Sequence, residues 1–85
     1  MFAWDEAKRG TNLKKQGIDF IDAEKIVSGR TLTAEMENGG FLTLGLLEDQ
    51  VVSVTHTERG DDIHIISIRK ATKHEARYYF SQIFD

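Results

Sequence analysis

Leu32-Thr33-Ala34-Glu35-Met36, Asn38-Gly39-Gly40 and Leu42-Thr43-Leu44-Gly45-Leu46 follow one another near the middle of the chain, and their reading decides the fold. In both flanking runs an apolar side chain recurs at every second position, the period of a strand whose two faces meet different surroundings. The asparagine and two glycines between them have the chemistry of a tight hairpin turn. The same grammar continues downstream. Glu48-Asp49 makes the next turn, Val52-Ser53-Val54-Thr55 forms a third strand running toward Glu58, and Arg59-Gly60-Asp61-Asp62 turns again. Ile63-His64-Ile65-Ile66-Ser67-Ile68 is apolar at both parities, as expected of a central strand. Strict alternation then places Arg69 on the face of Ile63 and Ile65, and His64 on the face of Ile66 and Ile68. The prediction is a four-stranded antiparallel meander.

Outward from the strands, the period changes to 3.6. Asp5 suits a helix N-cap and Gly17 a C′ position, which predicts a first helix between them. Asp19 caps a second helix with Phe20, Ala23, Ile26 and Val27 along one side and Gly29 after it. Thr72-Lys73-His74-Glu75 is a capping box, opening a last helix with Ala76, Tyr79, Phe80 and Ile83 on one side. Phe2 to Trp4 is a short apolar start that suits an edge strand. The order β-α-α-β-β-β-β-α predicts an α+β domain, with two N-terminal helices and one C-terminal helix packed on one face of the sheet.

With 85 residues the chain suffices for one modest core, and residues 1–85 are expected to form a single domain, too small for a separate nucleotide-binding lobe. No cysteine is present, so neither a disulfide framework nor a thiolate metal site is available. Apolar stretches are too short for a membrane span, and Met1-Phe2-Ala3-Trp4-Asp5-Glu6 lacks the layout of a secretory signal. A soluble, cytoplasmic protein is expected. Eleven Lys and Arg against fourteen Asp and Glu give a net charge of −3, which argues against a broad DNA-binding face. The charge is uneven. Residues 31–62 hold one basic and seven acidic side chains, whereas the segments before and after are mildly basic.

Phosphate-cradling glycine loops, zinc-binding pairs and nucleophile elbows are missing from the sequence, and the three histidines lack metal-ligand spacing. The polar residues that stand out gather around the last turn and strand: His56, Glu58 and Arg59, then Arg69 and Lys70, then His74 and Glu75. An arginine leading from a strand into a helix N-terminus is suited to seat an anion, because the helix dipole and its free amides add to the guanidinium. Each residue also has a plainer reading. His56 fits a surface imidazole, Arg59 a turn ion pair, Arg69 a strand-to-helix ion pair with Glu58 or Glu75, and Glu75 its capping role. Lys8, Arg9, Lys14 and Lys15 fit a solvated helix face.

The chain resembles the BrnT family of bacterial type II toxin–antitoxin toxins. The resemblance lies in Phe2-Ala3-Trp4-Asp5-Glu6-Ala7-Lys8, in Asn12-Leu13-Lys14-Lys15-Gln16-Gly17-Ile18-Asp19-Phe20, in Thr57-Glu58-Arg59-Gly60-Asp61 and in Ile65-Ile66-Ser67-Ile68-Arg69-Lys70-Ala71-Thr72, with Glu75 and Tyr78 or Tyr79 following. It implies a RelE-like fold, an endoribonuclease that works without a metal or other cofactor and halts translation, and a partner antitoxin, BrnA. That antitoxin would carry a ribbon-helix-helix domain and make the DNA contact itself. Carried onto this sequence, the resemblance matches Arg59, Arg69, Lys8 and Glu75 to the family's residues, and the chemistry of RNA cleavage casts Arg59 and Arg69 as charge stabilisers assisted by Lys70, with His56 or Glu75 for proton transfer. Lys8, His74 and Tyr78 are left to hold RNA. Cleavage through the 2′-hydroxyl requires these roles: a base for that proton, cations around the pentacovalent phosphorus, and an acid for the departing oxygen. Gln16, His64 and Ile68 depart from the family pattern, where histidine, arginine and alanine are usual, and Glu37-Asn38-Gly39-Gly40-Phe41 lacks a further arginine. Less positive charge at the site implies an alternative, a weak or inactive homologue that binds its antitoxin within an autoregulatory repressor complex.

Overall fold

Asp5 does what its place in the sequence predicts: its carboxylate accepts from the amides of Ala7 and Lys8, and the helix that follows ends on Gly17 in the left-handed region at φ 71°. The computed structural model describes residues 1–84. It contains strand β1 (Phe2–Trp4), helix α1 (Glu6–Gln16), a 3-10 turn at Phe20–Asp22 running into the short helix α2 (Ala23–Val27), strands β2 (Leu32–Glu35), β3 (Phe41–Leu47), β4 (Gln50–Arg59) and β5 (Asp62–Lys70), and helix α3 (Lys73–Ile83). The capping box at Thr72 and Glu75 is formed.

Two features of the predicted architecture are corrected. The sheet has five strands in the order β1-β5-β4-β3-β2, and it is mixed: β1 pairs parallel with β5, Phe2 opposite Ile63 and Trp4 opposite Ile65. Three residues give little sequence signal, but a strand this short becomes stable when a long neighbour supplies a ready-made edge. The helices also lie on both faces. Ile18, Phe20, Ala23 and Ile26 pack on Val52, Val54, Ile65 and Ile68, whereas Tyr79, Ala76 and Ile83 of α3 pack on Leu42, Leu44, Leu46 and Val51. In β3 and β4 these are alternate residues, so both faces of the sheet centre carry a core. Close approach on the first face depends on Gly45, where an added Cβ would stand 2.9 Å from Ile26 Cγ2 and 3.2 Å from Ile26 O.

Register in β5 is interrupted. Thr55 lies opposite Ser67 and His56 opposite Ile65, so Ile66 has no cross-strand partner. This extra residue is a β-bulge, and it shifts the parity of everything after it. Ile65 and Ile68, three apart, both fall fully buried in the core beneath α1 and α2. Strict alternation would have sent them to opposite faces. Ile63, Ile65 and Ile68 therefore share the core face, His64, Ser67 and Arg69 share the other, and half-buried Ile66 joins neither core.

Beyond Trp4, β1 stops pairing and α1 takes its place along β5. Asn12, 8% exposed, substitutes there for a strand residue: its Oδ1 accepts from the Ile68 amide at 3.2 Å and its Nδ2 donates to the Ile68 carbonyl at 2.9 Å and the Ile18 carbonyl at 3.0 Å. Among the described residues no helix is long and apolar enough to cross a membrane. Replacing Asn12 by alanine strands three backbone groups in a buried place. At roughly 1 kcal/mol or more for each, Asn12→Ala is expected to cost about 2–4 kcal/mol in urea unfolding. A loss below about 0.5 kcal/mol would show that the amide is dispensable as a strand substitute.

Candidate functional site

The face of the sheet that carries α3 is covered over β2, β3 and the start of β4, and left open over β1, β5 and the rest of β4. Register puts Thr55, Thr57 and Arg59 of β4 on this open part beside Ser67, His64 and Arg69 of β5. Arg59 and His64 are exposed, Thr55, Thr57, Ser67 and Arg69 half-buried. A sheet face of hydroxyls, an imidazole and two guanidiniums, with Asp62 beside Arg59, that no helix covers is the strongest candidate for contact with a polar, anionic ligand.

The two arginines stand at its opposite ends. Arg59 pairs in register with Asp62 and Arg69 with Ser53, which separates them by seven positions along β5, about 20 Å. At that spacing, and with Arg69 turned onto Glu75, the two guanidiniums do not share one pocket, whereas the sequence reading set both around one phosphorus. Arg69 is also engaged: its Nη1 and Nη2 donate to the two carboxylate oxygens of Glu75 at 2.8 and 2.9 Å, and Nη1 reaches the Lys70 carbonyl. The plainer sequence reading of Arg69, an ion pair tying strand to helix, is thus realised. Glu75 accepts from the Thr72 amide as well. The Arg69 guanidinium, with help from that amide, holds the Glu75 carboxyl down at about 2, against desolvation that acts the other way. Arg59 makes no ion pair among the described residues. Near it, Ala3, Thr57, Asp62 and His64 close a hollow of about 260 Å³.

Other predicted residues separate. His56 lies on the opposite face, 3% exposed, stacked on Phe41 at 5.6 Å between ring centroids; its Nε2 bonds the Thr43 hydroxyl at 2.8 Å, which in turn bonds Thr33. Burial lowers its pKa, and Glu58, 3.7 Å from Nδ1, opposes that only in part. An imidazole so placed does not reach the open face where Arg59 and Arg69 stand. Lys70, next to Arg69 but opposite Val52, takes the other parity. Lys8 lies with Thr11 and Lys15 on one stripe of α1, lining a groove of about 390 Å³ with Ile66 and Ser67. That groove runs beside the open face and brings Lys8 and Lys15 to its margin. His74 and Tyr78 are exposed on α3, and Tyr78 borders a small apolar recess with Leu32, Leu42 and Leu44. Sequence reasoning did not single out Ser67, it placed Lys15 with Lys8, Arg9 and Lys14 on a solvated helix face, and it counted His64 as a loss of charge. The bulge is the signal that would have found Ser67 and His64, and only pairing reveals it. Among the described residues no three His, Asp or Glu side chains gather to hold a metal ion.

A small α+β domain with a hydroxyl- and arginine-bearing sheet face resembles in architecture a known class of toxin. It is similar to the crystal structure of the Brucella abortus ribonuclease toxin BrnT, with a TM-score of 0.73 and 28% identity, over 86% of this chain and 99% of that one. Residues 4–75 match the family described as ribonuclease toxin, BrnT, of type II toxin-antitoxin system, and the chain belongs to that family. Membership of a type II system implies an antitoxin partner. No curated protein matches the chain.

The ionised Glu75 gives a pH dependence of definite sign. A carboxyl held at about 2 in the fold and at 4.5 when free contributes stability that is complete above about pH 4.5 and lost as pH falls toward 2. The difference in denaturation midpoint between the native chain and Glu75→Gln is expected to shrink across that window; a constant difference would mean that Arg69 does not hold the carboxylate. His56 acts at milder acidity. Its lowered pKa makes the native state resist a proton that the unfolded chain accepts at about 6.5, so stability falls as pH drops below that value. His56→Gln is expected to flatten the slope between pH 7 and 5 in the same measurement.

Proposed function

We propose that this protein is a cytoplasmic endoribonuclease toxin that cuts RNA without a metal, stops translation, and is neutralised by a ribbon-helix-helix antitoxin of the BrnA kind that covers the open sheet face. One observation carries the reading to a place: the bulge at Ile66 gathers His64, Ser67 and Arg69 beside Thr55, Thr57 and Arg59 on a face that no helix covers. The family supplies the ribonuclease class. An RNA strand laid along β5 would meet Arg59 at one end and Arg69 at the other, on phosphates several nucleotides apart. Lys8 and Lys15 would follow the backbone from the α1 side, and His74 and Tyr78 would close it from α3, the tyrosine ring offering a stacking surface. Lys70, at the strand end, would add to the field. Glu75 keeps Arg69 fixed in orientation, which gives that guanidinium a positioning role through its remaining donors.

A second reading has an observation in its favour. Arg69 is already neutralised by Glu75, which suits a non-catalytic module that binds its antitoxin and acts only in a repressor complex. Incubation of the purified chain with single-stranded RNA in excess chelator separates the two. Cleavage is expected, inhibited by the cognate antitoxin, and Arg59→Ala and Arg69→Ala are each expected to lower it by about 10- to 100-fold with nearly additive effects, because the two side chains lie far apart. An inert native protein, with normal growth of cells expressing it without antitoxin, would establish the non-catalytic module instead.

A further inference from the structure

We infer that His64 is the proton-transfer residue of the RNA cleavage and that scission occurs in the hollow it shares with Arg59, at the end of the sheet away from Arg69. The inference rests on the ribonuclease reading and goes beyond it by assigning the reacting end of the face. Three observations lead there. First, the hollow of about 260 Å³ holds an imidazole and a guanidinium on one side of the sheet, with His64 cross-strand from Thr57 and Arg59 two residues further along β4. Second, the other groups proposed for moving the proton are committed elsewhere. His56 is buried on the far face with Nε2 bonded to Thr43, and the Glu75 carboxylate is bound by Arg69 and the Thr72 amide and held far too acidic to act as an effective base. Third, His64 is exposed on the lining of that hollow and makes no side-chain hydrogen bond or ion pair among the described residues, so its ring is free to meet a substrate.

Histidine at this position therefore changes the chemistry rather than only subtracting a charge. Arginine remains protonated and can only stabilise, whereas imidazole both accepts and returns a proton near neutral pH. In the step assigned here, His64 takes the 2′-hydroxyl proton as that oxygen bonds to phosphorus. Arg59 meets the extra negative charge on the pentacovalent phosphorus. The bond from phosphorus to the 5′-oxygen then breaks, and the 5′-oxygen leaves as a hydroxyl carrying the proton returned by the imidazolium. The products are a 2′,3′-cyclic phosphate and a 5′-hydroxyl end; no water, metal or redox partner is consumed. Asp62, on the same rim, keeps the hollow from being uniformly cationic and offers the imidazolium a counter-charge.

The test measures cleavage of an oligoribonucleotide in chelator by the native chain, His64→Gln and His64→Ala, with thermal unfolding of each variant as the check on folding. Loss of kcat by about 100- to 10,000-fold in His64→Gln with KM within threefold, loss of one limb of the pH–rate profile, and saturable rescue of His64→Ala by added imidazole are expected. A folded His64→Gln that cleaves within threefold of the native chain with an unchanged pH profile overturns the assignment and leaves the ribonuclease reading intact. If the native chain itself cleaves nothing, the reading and the assignment fall together. End-group analysis adds an independent check, since products with a 3′-hydroxyl and a 5′-phosphate are incompatible with the step described.

Discussion

One unpaired residue in the last strand governs both the core and the open face of this protein. Ile66 has no partner on β4, and the slip it introduces brings Ile65 and Ile68 to the same side, where both are fully buried against the N-terminal helices. The two isoleucines bury apolar surface of the order of 2 kcal/mol each, so the core itself holds the bulge in place. The price appears on the reverse side, where His64, Ser67 and Arg69 are lined up and the core beneath α3 takes no residue of β5. A polar sheet face and a well-packed core are two consequences of one register shift.

Strand β5 needs support on its outer side, and two different devices supply it. β1 pairs with its first half through main-chain hydrogen bonds; Asn12 pairs with Ile68 through a side-chain amide that presents a donor and an acceptor much as a peptide group does. The substitute lets α1 lie where a longer β1 would otherwise run, and α1 brings Lys8 and Lys15 to the margin of the open face. Arg9 fastens the same helix from below, with Nε and Nη2 on the two oxygens of Asp19 at 2.7 and 3.1 Å. A residue that sequence alone reads as part of a solvated basic helix face is thus divided in role from its neighbour Lys8 by one helical position.

Charge is used locally throughout. The chain is acidic overall, and its two bidentate ion pairs among the described residues, Arg9 with Asp19 and Arg69 with Glu75, hold elements together. Long-range attraction of an anionic strand is correspondingly weak, so under the proposed function binding would rest on short contacts to hydroxyls and the few cations at the ends and margin of the open face.

The sequence by itself determined the strands of the meander, the caps at Asp5, Gly17 and Thr72, and the resemblance to the toxin family, because each depends on residues close together in the chain: alternation, turn chemistry and the capping box act over two to five positions. The candidate residues Arg59 and Arg69 were legible too, as types in a pattern. Their relation was not. Alternation counted through Ile66 gave His64 and Arg69 opposite parities and made β5 apolar on both faces, and no local signal marks the bulge, since isoleucine is at home in any strand. The parallel pairing of β1 with β5, the division of helices between the two faces, the burial of His56 and the choice of Glu75 over Glu58 as the partner of Arg69 were decided only by tertiary structure. Each is settled by what lies across the sheet or against it, where the burial of Ile65 and Ile68 outweighs the preference of a strand for strict alternation.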